Sequence, residues 1–291
     1  MAEAHRIGVV GAGTMGTGIV YVFAMAGCDV WLVEPDAAGT RRALATLRDA
    51  ADGAIARGKI DAATARAHLA RITPLTTAEA LPRGLDLVIE TIPERRELKR
   101  DVLARIAATG PDLIASNTSA MSIDDLAGAV TDPARFLGMH FFNPVWSLKL
   151  VEIVRGAQTS DQAVARAQDF ATLIGKSHAT VADSPGFATS RLDLVQALEA
   201  IRMVEAGVAS PADIDRAVTT AYRHPVGPLR LSDMVGLDVR LDIARQLGQT
   251  LGPHFAPPQL LIDMVARGEL GQKSGKGFYD WPDKTQLSKA G

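Results

Sequence analysis

The run Ile7-Gly8-Val9-Val10, followed at once by Gly11-Ala12-Gly13-Thr14-Met15-Gly16, constrains this chain more than any other feature. The short apolar run reads as a buried strand, and the glycines then require a tight turn into a helix. In G-x-G-x-x-G the first glycine permits the turn. The second lets a pyrophosphate approach the backbone, and the third lets helix and strand pack closely. The helix start offers unpaired N–H groups and the positive end of the helix dipole to the phosphates. Glu34 ends the next apparent strand, Val30-Trp31-Leu32-Val33, where a carboxylate can bind ribose hydroxyls. Its charge would repel a 2′-phosphate, so the unit predicts NAD rather than NADP.

Strand patterns recur at Leu85-Asp86-Leu87-Val88-Ile89 and Leu113-Ile114-Ala115, separated by helical stretches such as Ala37 to Arg57 and Arg95 to Ala108. This alternation predicts a parallel sheet covered on both faces. Extended runs follow at Phe136 to His140 and Lys149 to Val154, then a helix from about Asp161 to Ile174 and a strand at Ala179-Thr180-Val181. The pattern changes at Asp183-Ser184-Pro185-Gly186, a turn signal. Beyond it the chain reads as helical. Phe187, Arg191, Leu194, Val195, Leu198, Ile201 and Val204 share a helical face, and Ser210-Pro211 starts another helix. The expected architecture is α/β: a Rossmann-type dinucleotide-binding domain over 1–183, then an all-helical domain over 184–291.

Composition narrows the function classes. The net charge of -2 argues against a nucleic-acid binder. No apolar run approaches the ~20 residues that span a bilayer, and the polar start Met1 to Arg6 does not read as a signal peptide. Cys28 is the single cysteine, which excludes an intrachain disulfide and a cysteine-based zinc site; no metal is expected. A cytoplasmic setting fits this cysteine usage.

Two segments carry candidate chemistry. His140 lies in Gly138-Met139-His140-Phe141-Phe142-Asn143-Pro144, after a strand, and Glu152 lies on the next apparent strand. If the strands are neighbours, the imidazole can take a proton from an alcohol while hydride leaves the same carbon, and the carboxylate stabilises the imidazolium. The alternative is a structural histidine among aromatics. Ser116-Asn117-Thr118-Ser119 follows a strand at its carboxyl end, where open α/β sheets bind ligands. A helix N-cap competes for that segment, but Ser122 and Asp124 can fill the capping role and free Ser119 for a ligand.

Taken together, these segments resemble the L-3-hydroxyacyl-CoA dehydrogenase family, especially its bacterial 3-hydroxybutyryl-CoA members. The likeness also includes Lys149-Leu150-Val151-Glu152, Asp183 to Phe187, His224-Pro225-Val226-Gly227-Pro228 and Lys273-Ser274-Gly275-Lys276-Gly277-Phe278-Tyr279. The resemblance implies NAD-dependent, reversible oxidation of a 3-hydroxyacyl-CoA. It implies His140 as general base, Glu152 as its orienting partner, and Ser119 and Asn143 as the groups that position substrate and nicotinamide. It places Glu94, Lys99 and Lys273 at the dinucleotide and Arg57 and Lys59 near the coenzyme A phosphates. It also implies a homodimer built by the helical domain.

The sequence departs from the family pattern at three places. Ala120 replaces a usual second serine, and Trp146-Ser147-Leu148 replaces a Pro-x-Met run. Ser190 stands where an active-site asparagine is common. These changes bear on the acyl group; Trp146 is expected to shorten its space, with Ser190 among the substrate contacts. Alternative readings are a dehydrogenase of a carrier-protein thioester or of a free hydroxy acid such as a sugar acid or carnitine, and a dinucleotide-sensing relative without turnover.

Overall fold

The computed structural model describes residues 4–282. Among them the chain divides into two compact units, one ending at Phe187 and the next starting at Ala188.

The first unit is one eight-stranded sheet. Its strands are β1 (Arg6–Val10), β2 (Asp29–Val33), β3 (Ile72–Leu75), β4 (Leu87–Glu90), β5 (Ile114–Ser116), β6 (Phe136–Phe141), β7 (Leu150–Arg155) and β8 (Ser177–Ala182). Their order is β3-β2-β1-β4-β5-β6-β7-β8. The first six strands therefore lie 3-2-1-4-5-6, the order of dinucleotide-binding sheets. Every pairing is parallel except β6 with β7.

Successive strand residues point to opposite faces, and both faces are buried. Ile7, Val9, Leu87, Ile89, Leu137 and Met139 feed one core cluster, while Val10, Val88 and Phe136 feed the other. The first cluster is covered by α1 (Thr14–Met25), α2 (Ala37–Ala56) and α6 (Asp161–Leu173). Helix α1 is buried from Gly16 to Ala24, which explains why its sequence is apolar almost all round. Helix α2 instead buries a stripe, Ala43, Leu47, Ala51 and Ala54, and its first turn is capped by the Asp36 carboxylate. Helix α3 (Ala62–Leu69) adds Ala65 to the same first cluster, while α4 (Arg96–Ala108) and α5 (Ile123–Ala127) lie on the other face, where their Leu103, Ile106, Ile123 and Leu126 pack in the second cluster.

Two local features differ from the sequence reading. Strand β3 carries no apolar run, since Thr73 and Pro74 occupy its centre. It pairs only on one side, with β2, and an edge strand tolerates a proline that a central one does not. Phe187 does not join the helix that follows. Gly186 and Phe187 both have positive φ (74° and 47°), the chain turns there before the helix begins, and the Phe187 ring packs into the second cluster of the first unit.

The second unit holds α7 (Thr189–Glu205), α8 (Pro211–Ala221), α9 (Pro228–Val235), α10 (Leu237–Leu251) and α11 (Gln259–Ala266) around Leu194, Leu198, Ile201, Leu229, Leu237, Leu241 and Phe255. Ser210 caps α8 with Pro211 in its first turn. The last described segment is pinned by the buried Asp233, which accepts from the Phe278 and Tyr279 N–H groups and from Trp281 Nε1. No helix among the described residues is long and apolar enough to cross a membrane.

Candidate active site

The glycine loop is built by close approach. Gly11 has φ +107° and donates its N–H to Val33 O at 2.9 Å, tying the loop to the end of β2. A Cβ on Gly16 would stand 1.9 Å from Gly11 O, so α1 can start there only without a side chain. A Cβ on Gly13 would meet nothing within 4 Å, because Gly13 borders open space. That space is a cleft of about 980 Å³ over the carboxyl ends of β1, β2, β4 and β6. Its lining includes the whole run Gly11, Ala12, Gly13, Thr14 and Met15, together with Glu34. The Glu34 carboxylate accepts from the Ala12 N–H at 3.1 Å and from the Asp36 N–H at 3.0 Å, which holds it at the rim. An uncrowded loop backbone, a helix start and a fixed carboxylate are what a dinucleotide requires, and these residues fit NAD. Thr91, which the sequence reading passed over, completes the loop: its hydroxyl donates to Val10 O and Gly11 O, both at 3.0 Å.

His140 and Glu152 meet across the antiparallel pair. They are register partners on β6 and β7, and His140 Nδ1 lies 2.8 Å from Glu152 Oε2. The carboxylate is fully buried, and the ring is 7% exposed, bordering the cleft. An ionised carboxylate only accepts, so Nδ1 carries the hydrogen and Nε2 keeps its lone pair. Phe142 and Phe187 flank the ring, at centroid distances of 4.4 and 5.8 Å.

Ser119 and Asn143 both line the same cleft. Ser119 is held by Glu94, which accepts from its N–H at 2.9 Å and also from Thr118 Oγ1 at 3.0 Å. Ser122 caps α5 by accepting from the Asp125 N–H; Asp124 does not cap but accepts from the Ala157 N–H at 2.6 Å. Asn117, not singled out from the sequence, also lines the cleft and takes the Phe141 N–H on its Oδ1 at 2.8 Å, bracing the turn after His140.

Lys99 is placed differently from a cofactor contact at the surface. It is fully buried, does not line the cleft, and donates to Glu90 Oε1 (2.8 Å), Glu90 Oε2 (3.1 Å) and Ile92 O (3.1 Å). Glu90 also accepts from Ser116 Oγ at 2.6 Å and from the Ile92 N–H at 2.7 Å. Lys99 reaches the cleft only through Glu94, 3.5 Å away. No local pattern marks Glu90: it ends an apolar strand, and the sheet brings Ser116 and Lys99 to it.

Trp146 stands outside the cleft that holds His140. It packs edge-on against Tyr21, with centroids 5.9 Å apart, and is 41% exposed. Together they wall a second pocket of about 640 Å³ with Arg57 and Lys59, which follow the end of α2. Burial pushes the Tyr21 phenol up, while the Arg57 charge opposes it. In the second unit, Ser190 lies half-buried in the first turn of α7, and Lys273 forms an ion pair with Asp238.

The fold, the glycine loop and the cleft define a nicotinamide-dinucleotide oxidoreductase. Residues 6–184 match the model of the 3-hydroxyacyl-CoA dehydrogenase NAD binding domain, and residues 186–281 match that of the 3-hydroxyacyl-CoA dehydrogenase C-terminal domain. The chain belongs to the 3-hydroxyacyl-CoA dehydrogenase family: it is an NAD-dependent oxidoreductase acting on a CH–OH group. It is 43% identical over 286 residues to a 3-hydroxybutyryl-CoA dehydrogenase of Mycobacterium tuberculosis, covering 95% of this chain and 98% of the relative. It is 35% identical to a 3-hydroxyadipyl-CoA dehydrogenase of Escherichia coli, covering 97% of this chain and 60% of that longer protein. Its fold matches the crystal structure of (S)-3-hydroxybutyryl-CoA dehydrogenase from Ralstonia eutropha with a TM-score of 0.92 at 38% identity, covering 97% of this chain and all of that one.

Proposed function

We propose that this enzyme oxidises a short-chain L-3-hydroxyacyl-CoA, near four carbons, to the 3-oxoacyl-CoA, reversibly, with His140 as the general base. The observation that carries the assignment is the buried His140–Glu152 pair at the wall of the dinucleotide cleft. NAD, held by the glycine loop and Glu34, supplies the hydride acceptor. His140 Nε2 takes the hydroxyl proton, and Glu152 stabilises the imidazolium that results. Ser119 and Asn143, at the same cleft, orient the reacting carbon and the nicotinamide. Glu94 holds Ser119, and Lys99 acts through Glu94. Short chain length rests on the likeness to 3-hydroxybutyryl-CoA dehydrogenases.

The second pocket suits the coenzyme A part of the substrate, because Arg57 and Lys59 offer charge to its phosphates. Ser190 and Lys273 of the second unit are assigned to substrate and dinucleotide respectively. The second unit is also assigned to homodimer formation: Leu192, Val208, Tyr222, Met234, Val235 and Val239 are exposed large apolar residues on it. The setting is cytoplasmic, in keeping with the lone, buried thiol of Cys28.

A substrate panel tests the assignment. Turnover is measured with NAD on 3-hydroxybutyryl-CoA, longer 3-hydroxyacyl-CoAs, 3-hydroxyadipyl-CoA and free hydroxy acids. The expected result is highest kcat/KM on the four-carbon thioester. Preference for a free acid or a long chain rejects the substrate. Light scattering at micromolar concentration tests the dimer, and a monomer there rejects it.

A further inference from the structure

Lys176 opens the edge of the sheet at β8, yet only 7% of it is exposed. Its ammonium donates to Val145 O at 2.6 Å and to Leu148 O at 2.5 Å. Among the described residues no carboxylate pairs with it, and the other nearby charge is Lys149, of the same sign. Burial pushes the ammonium below the ordinary lysine range, and Lys149 adds to that shift. A buried cation held only by carbonyls is costly, so its placement needs a reason beyond packing.

The carbonyls belong to the turn 144–148, whose two ends border different spaces. Asn143, just before it, lines the dinucleotide cleft, while Trp146 and Ser147 line the second pocket. Three contacts hold the turn. The Ser147 and Leu148 N–H groups both donate to Pro144 O at 3.0 Å. Val145 is buried against Gly18 of α1, where an added Cβ would stand 2.7 Å from Val145 Cβ. Lys176 closes the remaining side, bracketing Trp146 between the two carbonyls it grips. Trp146 itself packs edge-on against Tyr21 and is 41% exposed.

We propose that Lys176 is a positioning residue for substrate: by clamping Val145 O and Leu148 O it fixes Trp146 against Tyr21 as the wall of the second pocket. This rests on the reading of that pocket as the thioester's binding surface. An ammonium with three donors can hold two diverging carbonyls and orders the turn before substrate arrives, which lowers the cost of binding. The consequence is selective. Loss of the clamp weakens substrate binding in ground and transition state alike, so KM rises while kcat stays.

The test uses the full chain and steady-state kinetics with 3-hydroxybutyryl-CoA and NAD. Lys176→Met is expected to raise the thioester KM by about tenfold, with kcat and the NAD KM within about twofold of wild type, the pattern of lost uniform binding. If Lys176 acts through Trp146, the double variant K176M/W146A shows the same KM as W146A alone. Where K176M does not fold, Lys176→Arg serves: its longer, forked head must displace the turn and is expected to give the same selective rise. Equal losses in kcat and in the NAD KM overturn the proposal. So does full multiplication of the K176M and W146A effects, which would make the lysine a general structural support. R57A/K59A is measured alongside. If it leaves the thioester KM unchanged, the pocket reading itself has failed, and the role of Lys176 in it falls with it.

Discussion

His140 and Glu152 stand directly opposite each other on β6 and β7, the one antiparallel pair in the sheet, with Nδ1 2.8 Å from Oε2. Residues paired in this way have Cβ atoms about 4.5–5.5 Å apart, a span that two side chains close with a hydrogen bond. The pairing thus sets the ring tautomer without help from a loop. Since β5 pairs in parallel with β6, the same strand also brings His140 to the end of the sheet where the dinucleotide cleft opens.

Removing the imidazole should therefore remove proton transfer and little else. His140→Ala is expected to lower kcat by about two to four orders of magnitude, the usual range for general-base catalysis, with NADH affinity nearly unchanged. Glu152→Gln should also lower kcat, since the amide cannot neutralise an imidazolium. Stopped-flow turnover and NADH fluorescence titration separate the two quantities. Near-normal turnover in the histidine variant would falsify the mechanism.

The glycine loop makes a contrast within a few residues. Gly13→Ala adds a methyl to open space, so the melting temperature should hold while NADH affinity falls, because the methyl occupies the approach to the pyrophosphate. Gly16→Ala drives a methyl into Gly11 O, and should lower the melting temperature outright. Calorimetry paired with NADH titration decides this. Equal effects of the two changes would mean that the loop does not cradle the cofactor.

Coenzyme preference should follow the Glu34 charge. Wild type is expected to favour NADH over NADPH in kcat/KM by at least about tenfold, through like-charge repulsion of a 2′-phosphate. Glu34→Gln keeps an acceptor for the loop but not the charge, and should narrow the ratio. An unchanged ratio would place the discrimination elsewhere.

Beneath the cleft, the Glu90–Lys99 pair should behave as a buried ion pair. Lys99→Met alone leaves a buried carboxylate without its counter-charge and is expected to cost about 3–5 kcal/mol in urea unfolding. Glu90→Leu with Lys99→Met removes both charges and should cost much less than the single change. A single variant as stable as wild type would show that the pair is open to water in solution.

Much of this was legible in local sequence. The G-x-G-x-x-G loop is six consecutive residues whose conformation demands glycine. The caps of α2 and α8 lie within four residues of the groups they bind. The strands buried on both faces are marked by continuous apolar runs. Edge strand β3 was not legible, because an edge needs neither an apolar run nor a full set of donors. Phe187 falls on the helical face by spacing, but two successive positive-φ residues send it into a different core.

What the sequence by itself determined is therefore the chemistry with short reach: the dinucleotide turn, the carboxylate after β2, the helix starts, the change of pattern after residue 183 and the residue types for proton transfer. Only the tertiary structure decided which of these meet. It put Glu152 against His140 through the β6–β7 register, and it buried Lys99 on Glu90 instead of in the lining of the dinucleotide cleft. It turned Trp146 toward Tyr21 and away from the His140 cleft, and it set Lys176 on carbonyls about thirty residues earlier in the chain. The reason is physical. Local conformational preference acts over a few residues, whereas strand order and burial fix contacts between residues far apart in the chain, and no spacing along the sequence encodes those distances.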